Sequence, residues 1–213
     1  LNFALRQNAK VLFTSTSEVY GDPEVHPQPE SYKGSVSPTG IRACYDEGKR
    51  CAESLFYDFH RMHGLDIKVA RLFNTYGPLM RSDDGRVVSN FICQSISKTP
   101  ITIYGDGTQT RSFCYIDDLV IGLKKLMNSN SNILYPVNLG NPDEFTLLEL
   151  VHEIEKISQK ELTIEFQPLP MDDPKMRKPD INKAKNHLGW KPSIKLSDGL
   201  INTYDYFLNE LKR

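Results

Sequence analysis

Apolar and polar positions along this chain follow two different periods, and the switches between them mark out its elements. Residues 10–15 (KVLFTS) and 67–74 (IKVARLFN) are short apolar, β-branched runs of the length of buried parallel strands. Between them Ala52, Leu55, Phe56, Phe59 and Met62 recur at steps of three and four, predicting a helix over 45–63 with Gly64 as its left-handed stop. Strand, helix and strand in that order are a βαβ unit. Further on, Asp117 is read as the cap of a helix running to Met127, and 135–139 (YPVNL) as a brief strand. Thr146 and Glu149 form a capping box for a helix whose stripe is Leu147, Leu150, Val151, Ile154 and Ile157. A short helix over 180–188 stops at Gly189, and an amphipathic one over 197–211 turns Leu200, Tyr204, Phe207, Leu208 and Leu211 inward. Pro23, Pro27, Pro29 and Pro38 exclude regular structure from 21–40, and long loops in compact domains usually carry function.

Composition narrows the class. At 213 residues, 39% apolar and 25% charged, the chain is neither disordered nor too small for a sizeable core. No run approaches the roughly 20 apolar residues of a membrane span. Lys+Arg 26 against Asp+Glu 27 leaves a net charge of −1, without the basic excess that nucleic-acid binding needs. Cys44, Cys51, Cys93 and Cys114 show neither a CxxC pair nor a His at metal-ligand spacing; they read as buried thiols of a reducing compartment, and no metal site is expected. The first residue is Leu1, not Met, which leaves room for residues upstream.

The candidate chemistry gathers at the first strand and the first long helix. Tyr45 and Lys49 are four apart and share a helical face. A phenol of reference pKa about 10 becomes a base near neutrality when an adjacent ammonium stabilises its anion. The spacing alone is weak, since Tyr57 and Arg61 repeat it, and a solvated helical face is its plainer reading. The company is stronger. The first strand ends in Thr14, Ser15, Thr16, Ser17 and Glu18, at the strand end where doubly wound sheets bind ligands. A hydroxyl, a tyrosine and a lysine so placed make a proton relay to a substrate alcohol. A turn with local backbone bonds is the plainer reading of those hydroxyls.

These residues carry a resemblance. Thr16-Ser17-Glu18-Val19-Tyr20-Gly21, Tyr45 with Lys49, and Arg71-Leu72-Phe73-Asn74-Thr75-Tyr76-Gly77-Pro78 resemble the extended short-chain dehydrogenase/reductase family that acts on nucleotide-sugars. Residues 44–50 (CYDEGKR), 84–91 (DGRVVSNF), 104–111 (YGDGTQTR) and 177–181 (RKPDI) are similar to the branch that decarboxylates UDP-glucuronate. The likeness runs along the whole chain. It implies an α/β fold: the C-terminal half of a Rossmann-type, doubly wound parallel sheet with a small interleaved α+β substrate-binding lobe. Residues 1–78 would hold the second half of the NAD-binding domain, 79–213 mainly the substrate lobe, and 113–140 would return to the sheet.

The resemblance also implies roles. Tyr45 would accept the proton of the sugar C4 hydroxyl, Lys49 would assist it and hold the nicotinamide ribose, and Thr16 or Ser17 would bind the same hydroxyl. Thr75 and Arg86 would line the NAD and sugar cleft, and Asn74 would meet the diphosphate. Val88 and Ser89 would open a helix whose N–H groups face phosphate. Tyr104, Gln109 and Arg111 would hold uridine and diphosphate, a guanidinium meeting phosphate with two bonds. Each has a plainer reading, and for 104–107 (YGDG) it is an ordinary hairpin turn.

Glu18 and Arg177 select the reaction. Oxidation at C4 makes a 4-keto sugar with its carboxylate β to a carbonyl, and such acids lose CO2 readily. By resemblance Glu18 assists beside that carboxylate, while Arg177 orients it or protonates the intermediate, giving UDP-xylose and CO2 with NAD recycled. A 4,6-dehydratase would carry Asp-Glu after the threonine, and a 4-epimerase would lack the glutamate. Arg177 stands in a charge run (Asp172, Asp173, Pro174, Lys175, Met176, Arg177, Lys178) that by itself reads as a solvated loop.

One family element does not occur in these residues: the Gly-rich turn that lets a backbone approach the cofactor pyrophosphate. By analogy roughly 100 residues, one mononucleotide-binding half, are expected upstream, with the first seven residues as the tail of a helix. The alternatives are another nucleotide-sugar epimerase or dehydratase, and a short chain that binds nucleotide-sugar without catalysis. A homodimer through the Tyr45 helix is expected, in the cytoplasm, or in the Golgi lumen if an upstream anchor exists.

Overall fold

A computed structural model describes residues 1–130, 132–169 and 176–212. The order is α1 (Asn2–Arg6), β1 (Val11–Thr16), a 3₁₀ turn (Ser17–Tyr20), α2 (Ala43–His63), β2 (Ile67–Leu72), β3 (Thr75–Tyr76) and α3 (Val87–Ser97). Then come β4 (Ile101–Tyr104), β5 (Thr110–Ser112), β6 (Cys114–Tyr115), α4 (Ile116–Met127), β7 (Val137–Leu139), β8 (Glu144–Thr146), α5 (Leu147–Ser158), β9 (Ile164–Gln167), α6 (Asn182–Leu188) and α7 (Leu196–Glu210). The three-stranded sheet β1-β2-β7 is parallel throughout, with Val11 opposite Ile67 and Ala70 opposite Val137.

Strand alternation assigns the faces of that sheet. Phe13 and Ser15 of β1 meet Phe56 and Glu53 of α2, while Leu12, Ala70 and Leu72 belong to the core under α4. That core includes Leu119, Leu126, Val137, Leu139 and, from the C-terminal segment, Ile181, Ala184 and Trp190. A second core joins α3, α5 and α7: Phe91, Ile92, Ile101, Ile103, Leu150, Ile154, Leu200 and Phe207. Asp118 of α4 ties the two by accepting from the Ser193 and Ile194 amides at 2.8 Å.

The sheet is locked by buried charge. Arg71 of β2 donates from Nε and Nη2 to the two oxygens of Glu53 at 3.0 and 2.7 Å, and Ser15 donates to the same carboxylate at 2.6 Å. Arg71 Nη1 also donates to Tyr20 Oη at 3.1 Å, and Tyr20 donates to Asn138 of β7 at 2.7 Å. Burial pushes the Tyr20 phenol up to about 12, so it stays neutral and donates. One network therefore joins β1, the 3₁₀ turn, α2, β2 and β7.

The structure corrects several expectations. Leu55 and Met62 are exposed, and the one residue of α2 that is fully buried is Glu53, so the helix docks on polar and aromatic contacts instead of its apolar stripe. Cys44 and Cys51 are exposed and Cys93 half-buried; only Cys114 is a core thiol. Asp117 lies inside the first turn of α4, whose cap residue is Tyr115. Residues 104–107 are no hairpin turn, because β4 pairs with β9 and β5 with β8. Strand β2 ends at Leu72, β7 begins at Val137, and Leu211 is exposed. The capping box holds: Thr146 Oγ1 accepts from the Glu149 amide at 3.1 Å and Glu149 from the Thr146 amide at 2.7 Å. Asp172, Asp173, Pro174 and Lys175 lie outside the described residues.

Two stability outcomes follow. Glu53→Ala strands the Arg71 guanidinium and costs about 3–5 kcal/mol, read as a lower urea midpoint; a loss below about 1 kcal/mol contradicts a structural role for the pair. Gly199→Ala gains about 1 kcal/mol of helix propensity. Its added Cβ, however, falls 2.2 Å from Tyr76 Oη and 2.7 Å from Tyr115 Cδ2. Overpacking at about 1–3 kcal/mol outweighs the gain, so the midpoint drops; a raised midpoint refutes this.

Candidate functional site

At the carboxyl ends of β1 and β2 opens a cleft of about 740 Å³. Its floor is the end of β1 and the turn that follows it, where Thr14, Thr16, Ser17 and Glu18 line the cleft and Thr16 and Ser17 are buried polar residues. Thr16 Oγ1 accepts from the Glu18 amide at 3.2 Å and starts the 3₁₀ turn, which holds Ser17 buried and swings Glu18 toward the helix. From α2, Tyr45 and Lys49 enter the same cleft. Lys49 Nζ donates to the Thr14 carbonyl at 2.9 Å, 5.0 Å from the Phe13 ring centre and 5.7 Å from that of Tyr45. Tyr45 is 48% exposed and lines the cleft.

The rest of the lining comes from the middle of the chain. Asn74, Thr75, Arg86, Val88, Tyr104, Gln109 and Arg111 all line the cleft. Thr75 Oγ1 donates to the Phe73 carbonyl at 2.9 Å, and Gln109 Nε2 to the Tyr104 carbonyl. Asp84 organises the start of α3, accepting from the Arg86 amide at 3.0 Å and from Ser89 Oγ at 2.7 Å. Ser89 departs from expectation: its side chain is fully buried and bonded to Asp84 and to the Arg86 carbonyl, and it is not among the lining residues.

Glu18 and Arg177, 159 positions apart, meet: Arg177 Nη1 lies 3.5 Å from Glu18 Oε1. Arg177 is 8% exposed, behind Glu18 and outside the cleft lining, so it is no solvated surface charge. Burial pulls its pKa down and the Glu18 carboxylate opposes that. The Arg42 guanidinium donates to the other oxygen, Glu18 Oε2. Burial pushes Glu18 upward, but the Arg42 hydrogen bond and the charges of Arg177 and Arg42 outweigh it, and its pKa falls below the usual value.

Sequence reasoning missed three residues here. Arg42, Asp46 and Asp84 either line the cleft or face Glu18. Asp46 and Asp84 stand inside motifs already singled out, and Asp46, directly after Tyr45 in the first turn of α2, was the legible signal. Among the described residues no cluster of His, Cys, Asp and Glu could hold a metal ion, and no helix is long and apolar enough to cross a membrane.

What the arrangement can do is bounded by its groups. Hydroxyl, phenol and ammonium at a strand end suit proton transfer at an alcohol. A carboxylate flanked by two guanidiniums suits an anionic ligand group close by.

Comparison with known proteins agrees with this geometry. The chain is 55% identical over 200 residues to UDP-glucuronic acid decarboxylase 3 of Arabidopsis thaliana, covering 94% of this chain and 58% of that protein. It is 53% identical over 212 residues to UDP-glucuronic acid decarboxylase 1 of Danio rerio, covering 100% of this chain and 50% of that protein. The chain thus spans about half the length of the curated relatives it matches. Among solved structures, UDP-glucuronic acid 4-epimerase of Bacillus cereus, in complex with UDP-glucuronic acid and NAD, superposes with a TM-score of 0.84 at 34% identity over 95% of this chain and 62% of that one. The parallel sheet with its flanking helices is the Rossmann-like fold of these neighbours. The family model for NAD dependent epimerases and dehydratases matches residues 1–140, and the chain belongs to that family.

Proposed function

We propose that the protein carrying this chain is an NAD-dependent decarboxylase of UDP-glucuronate, releasing UDP-xylose and CO2. The observation that carries the reading is the Glu18–Arg177 pair beside the cleft that holds Thr16, Tyr45 and Lys49. It is supported by decarboxylase relatives at 52–55% identity, a match that includes both ends of the chain.

The residues present fit the nicotinamide end of NAD: Lys49 and Tyr45 stand together over the end of a parallel strand, with hydroxyls beside them. Lys49, Tyr45, Thr75 and Arg86 are the proposed cofactor contacts. Bound NAD supplies the two-electron oxidation of C4 and, after CO2 has left, its reversal. Tyr45 takes the proton of the C4 hydroxyl and later returns it, with Thr16 and Ser17 orienting that oxygen. Asn74, the α3 start at Val88, Tyr104, Gln109 and Arg111 hold the nucleotide diphosphate. The 4-keto sugar has its C5 carboxylate β to a carbonyl; the C5–CO2 bond breaks, the electron pair forms an enolate, and a proton then returns to C5. Arg177 orients the carboxylate and its charge favours the enolate, while Glu18 holds Arg177 in place.

A 4-epimerase remains the second reading, since the solved UDP-glucuronic acid neighbours are epimerases that act on the same sugar acid. Residues 1–78 with 113–140 are proposed as the cofactor half and the rest of 79–213 as the substrate lobe; the two cores follow this division in part, since the second takes in Tyr76, Phe113 and Tyr115 and Ile116 packs against both. The sheet core recruits Ile181, Ala184 and Trp190 across that line. Cytoplasmic residence is proposed from four free thiols, two of them exposed. A homodimer through α2 is proposed from its outer face, where Cys44, Cys51, Leu55 and Met62 are exposed at helical spacing.

With the whole open reading frame expressed, carboxyl-labelled UDP-glucuronate releases labelled CO2; a product that keeps the label, either a 4-epimer or a stable 4-keto acid, contradicts the assignment. Tyr45→Phe lowers turnover by about 10²–10⁴, and unchanged turnover removes Tyr45 from the role. Leu55→Glu with Met62→Glu halves the mass measured by light scattering, whereas an unchanged dimer mass sinks the proposed interface.

A further inference from the structure

In the proline-rich loop over 21–40, Gln28 is a fully buried polar side chain that the proposed chemistry does not use. Both ends of its amide are occupied: Oε1 accepts from the Lys178 amide at 2.8 Å, and Nε2 donates to the Val25 carbonyl at 2.7 Å. An amide carries an acceptor and a donor side by side, so glutamine joins two backbone groups of opposite kind where an ionised glutamate cannot. Its own backbone is held as well. The Gln28 amide donates to the Lys178 carbonyl at 2.9 Å, and its carbonyl accepts from the Asp180 amide at 3.0 Å and from Asn138 Nδ2 of β7 at 2.9 Å. Through Asn138, Gln28 is fixed to the parallel sheet.

What Gln28 holds in turn is the peptide unit that follows Arg177. That unit comprises the Arg177 carbonyl and the Lys178 N–H, which share one plane and point to opposite sides of a trans peptide. Ser112 Oγ of β5 donates to the carbonyl at 3.0 Å, while Gln28 Oε1 takes the N–H. The plane cannot turn without breaking one of these hydrogen bonds. The Arg177 Cα lies in the same plane, so the two bonds set where its side chain begins. Lys178 Nζ adds a third hold by donating at 3.1 Å to Oε2 of Glu144, the residue opposite Ser112 in the β5–β8 pair. From that start the buried Arg177 guanidinium comes to 3.5 Å from Glu18 Oε1. A long side chain magnifies any swing at its root, and a guanidinium meets a carboxylate well only in a fixed fork.

We propose that Gln28 is a positioning residue for Arg177: with Ser112 it clamps the 177–178 peptide, so that the guanidinium is aimed at a carboxylate on the bound sugar. The sugar carboxylate as target rests on the UDP-glucuronate reading. Gln28 is not among the residues that line the cleft, so its removal acts through Arg177. Sugar acids bind more weakly, and a neutral sugar binds as before.

The test measures affinities for UDP-glucuronate and UDP-glucose by calorimetry, on the whole protein with NAD bound and in a Tyr45→Phe background that stops turnover. Gln28→Met keeps the bulk and removes both side-chain hydrogen bonds; it weakens UDP-glucuronate by about tenfold and leaves UDP-glucose within about twofold. Arg177→Met gives the same selective loss, and adding Gln28→Met to it changes little, because the clamp then has nothing to aim. Equal losses for both sugars, or losses that add in the double variant, overturn the proposal. Leu126→Ala, a truncation in the core under α4, lowers the urea midpoint with the acid-to-neutral affinity ratio unchanged; a ratio that moves there too reduces the effect to lost stability and overturns the proposal. If Gln28→Met does not fold, Ser112→Ala decides: it frees the other edge of the peptide and gives a smaller selective loss, and no selective loss overturns the clamp. If Arg177→Met leaves UDP-glucuronate affinity intact, the substrate reading falls, and hydrogen exchange in the ligand-free protein still decides the clamp. In Gln28→Met the Lys178 amide then exchanges faster while the amides of β2 do not; a Lys178 amide that stays protected contradicts it.

Discussion

The Glu53–Arg71 ion pair is the contact from which the rest of the site takes its place. Helix α2 brings no apolar stripe to the sheet; it brings Glu53, Phe56 and Lys49, which meet Ser15 and Arg71, Phe13, and the Thr14 carbonyl. A buried pair of this kind contributes little over a well-packed apolar substitute, but it tolerates only one register. Moving α2 by one turn would strand both charges. The pair thereby fixes where Tyr45 and Lys49 emerge, two turns and one turn N-terminal of Glu53.

The same economy governs the far end of the cleft. Arg177 is drawn in from a polar segment by Glu18, by the Ser112 hydroxyl donating to its carbonyl at 3.0 Å, and by the neighbouring Lys178 and Gln28 bonds. Fully buried Gln28 exchanges backbone bonds with Lys178 and Asp180, so the proline-rich loop is the strap that holds this segment beside the cleft. A near-neutral chain therefore gathers three arginines, Arg42, Arg111 and Arg177, near one another without a basic surface.

Much of this was legible because the signals are local. The βαβ order, the Gly64 stop, the Thr146–Glu149 box and the end of β1 each depend on a few adjacent residues. The Glu18–Arg177 meeting was legible only through resemblance, since composition alone reads Arg177 as surface. Periodicity located α2 but misassigned its buried face, because an apolar stripe says which residues share a side and nothing about whether that side meets the sheet. Glu53 looks like a surface charge until Arg71 of β2 is opposite it. Ser89 was placed by its backbone position, and its side chain instead serves Asp84. The cysteines were judged by type, while their burial depends on helix orientation.

The claim at the centre is that the buried arginine behind Glu18 receives the sugar carboxylate. A crystal structure of the whole protein with NAD and UDP-glucuronate tests it most directly. The account predicts the C5 carboxylate within hydrogen-bond distance of Arg177 and the C4 hydroxyl at Tyr45. A carboxylate turned away from Arg177, toward Arg86 or open solvent with Glu18 untouched, would contradict it.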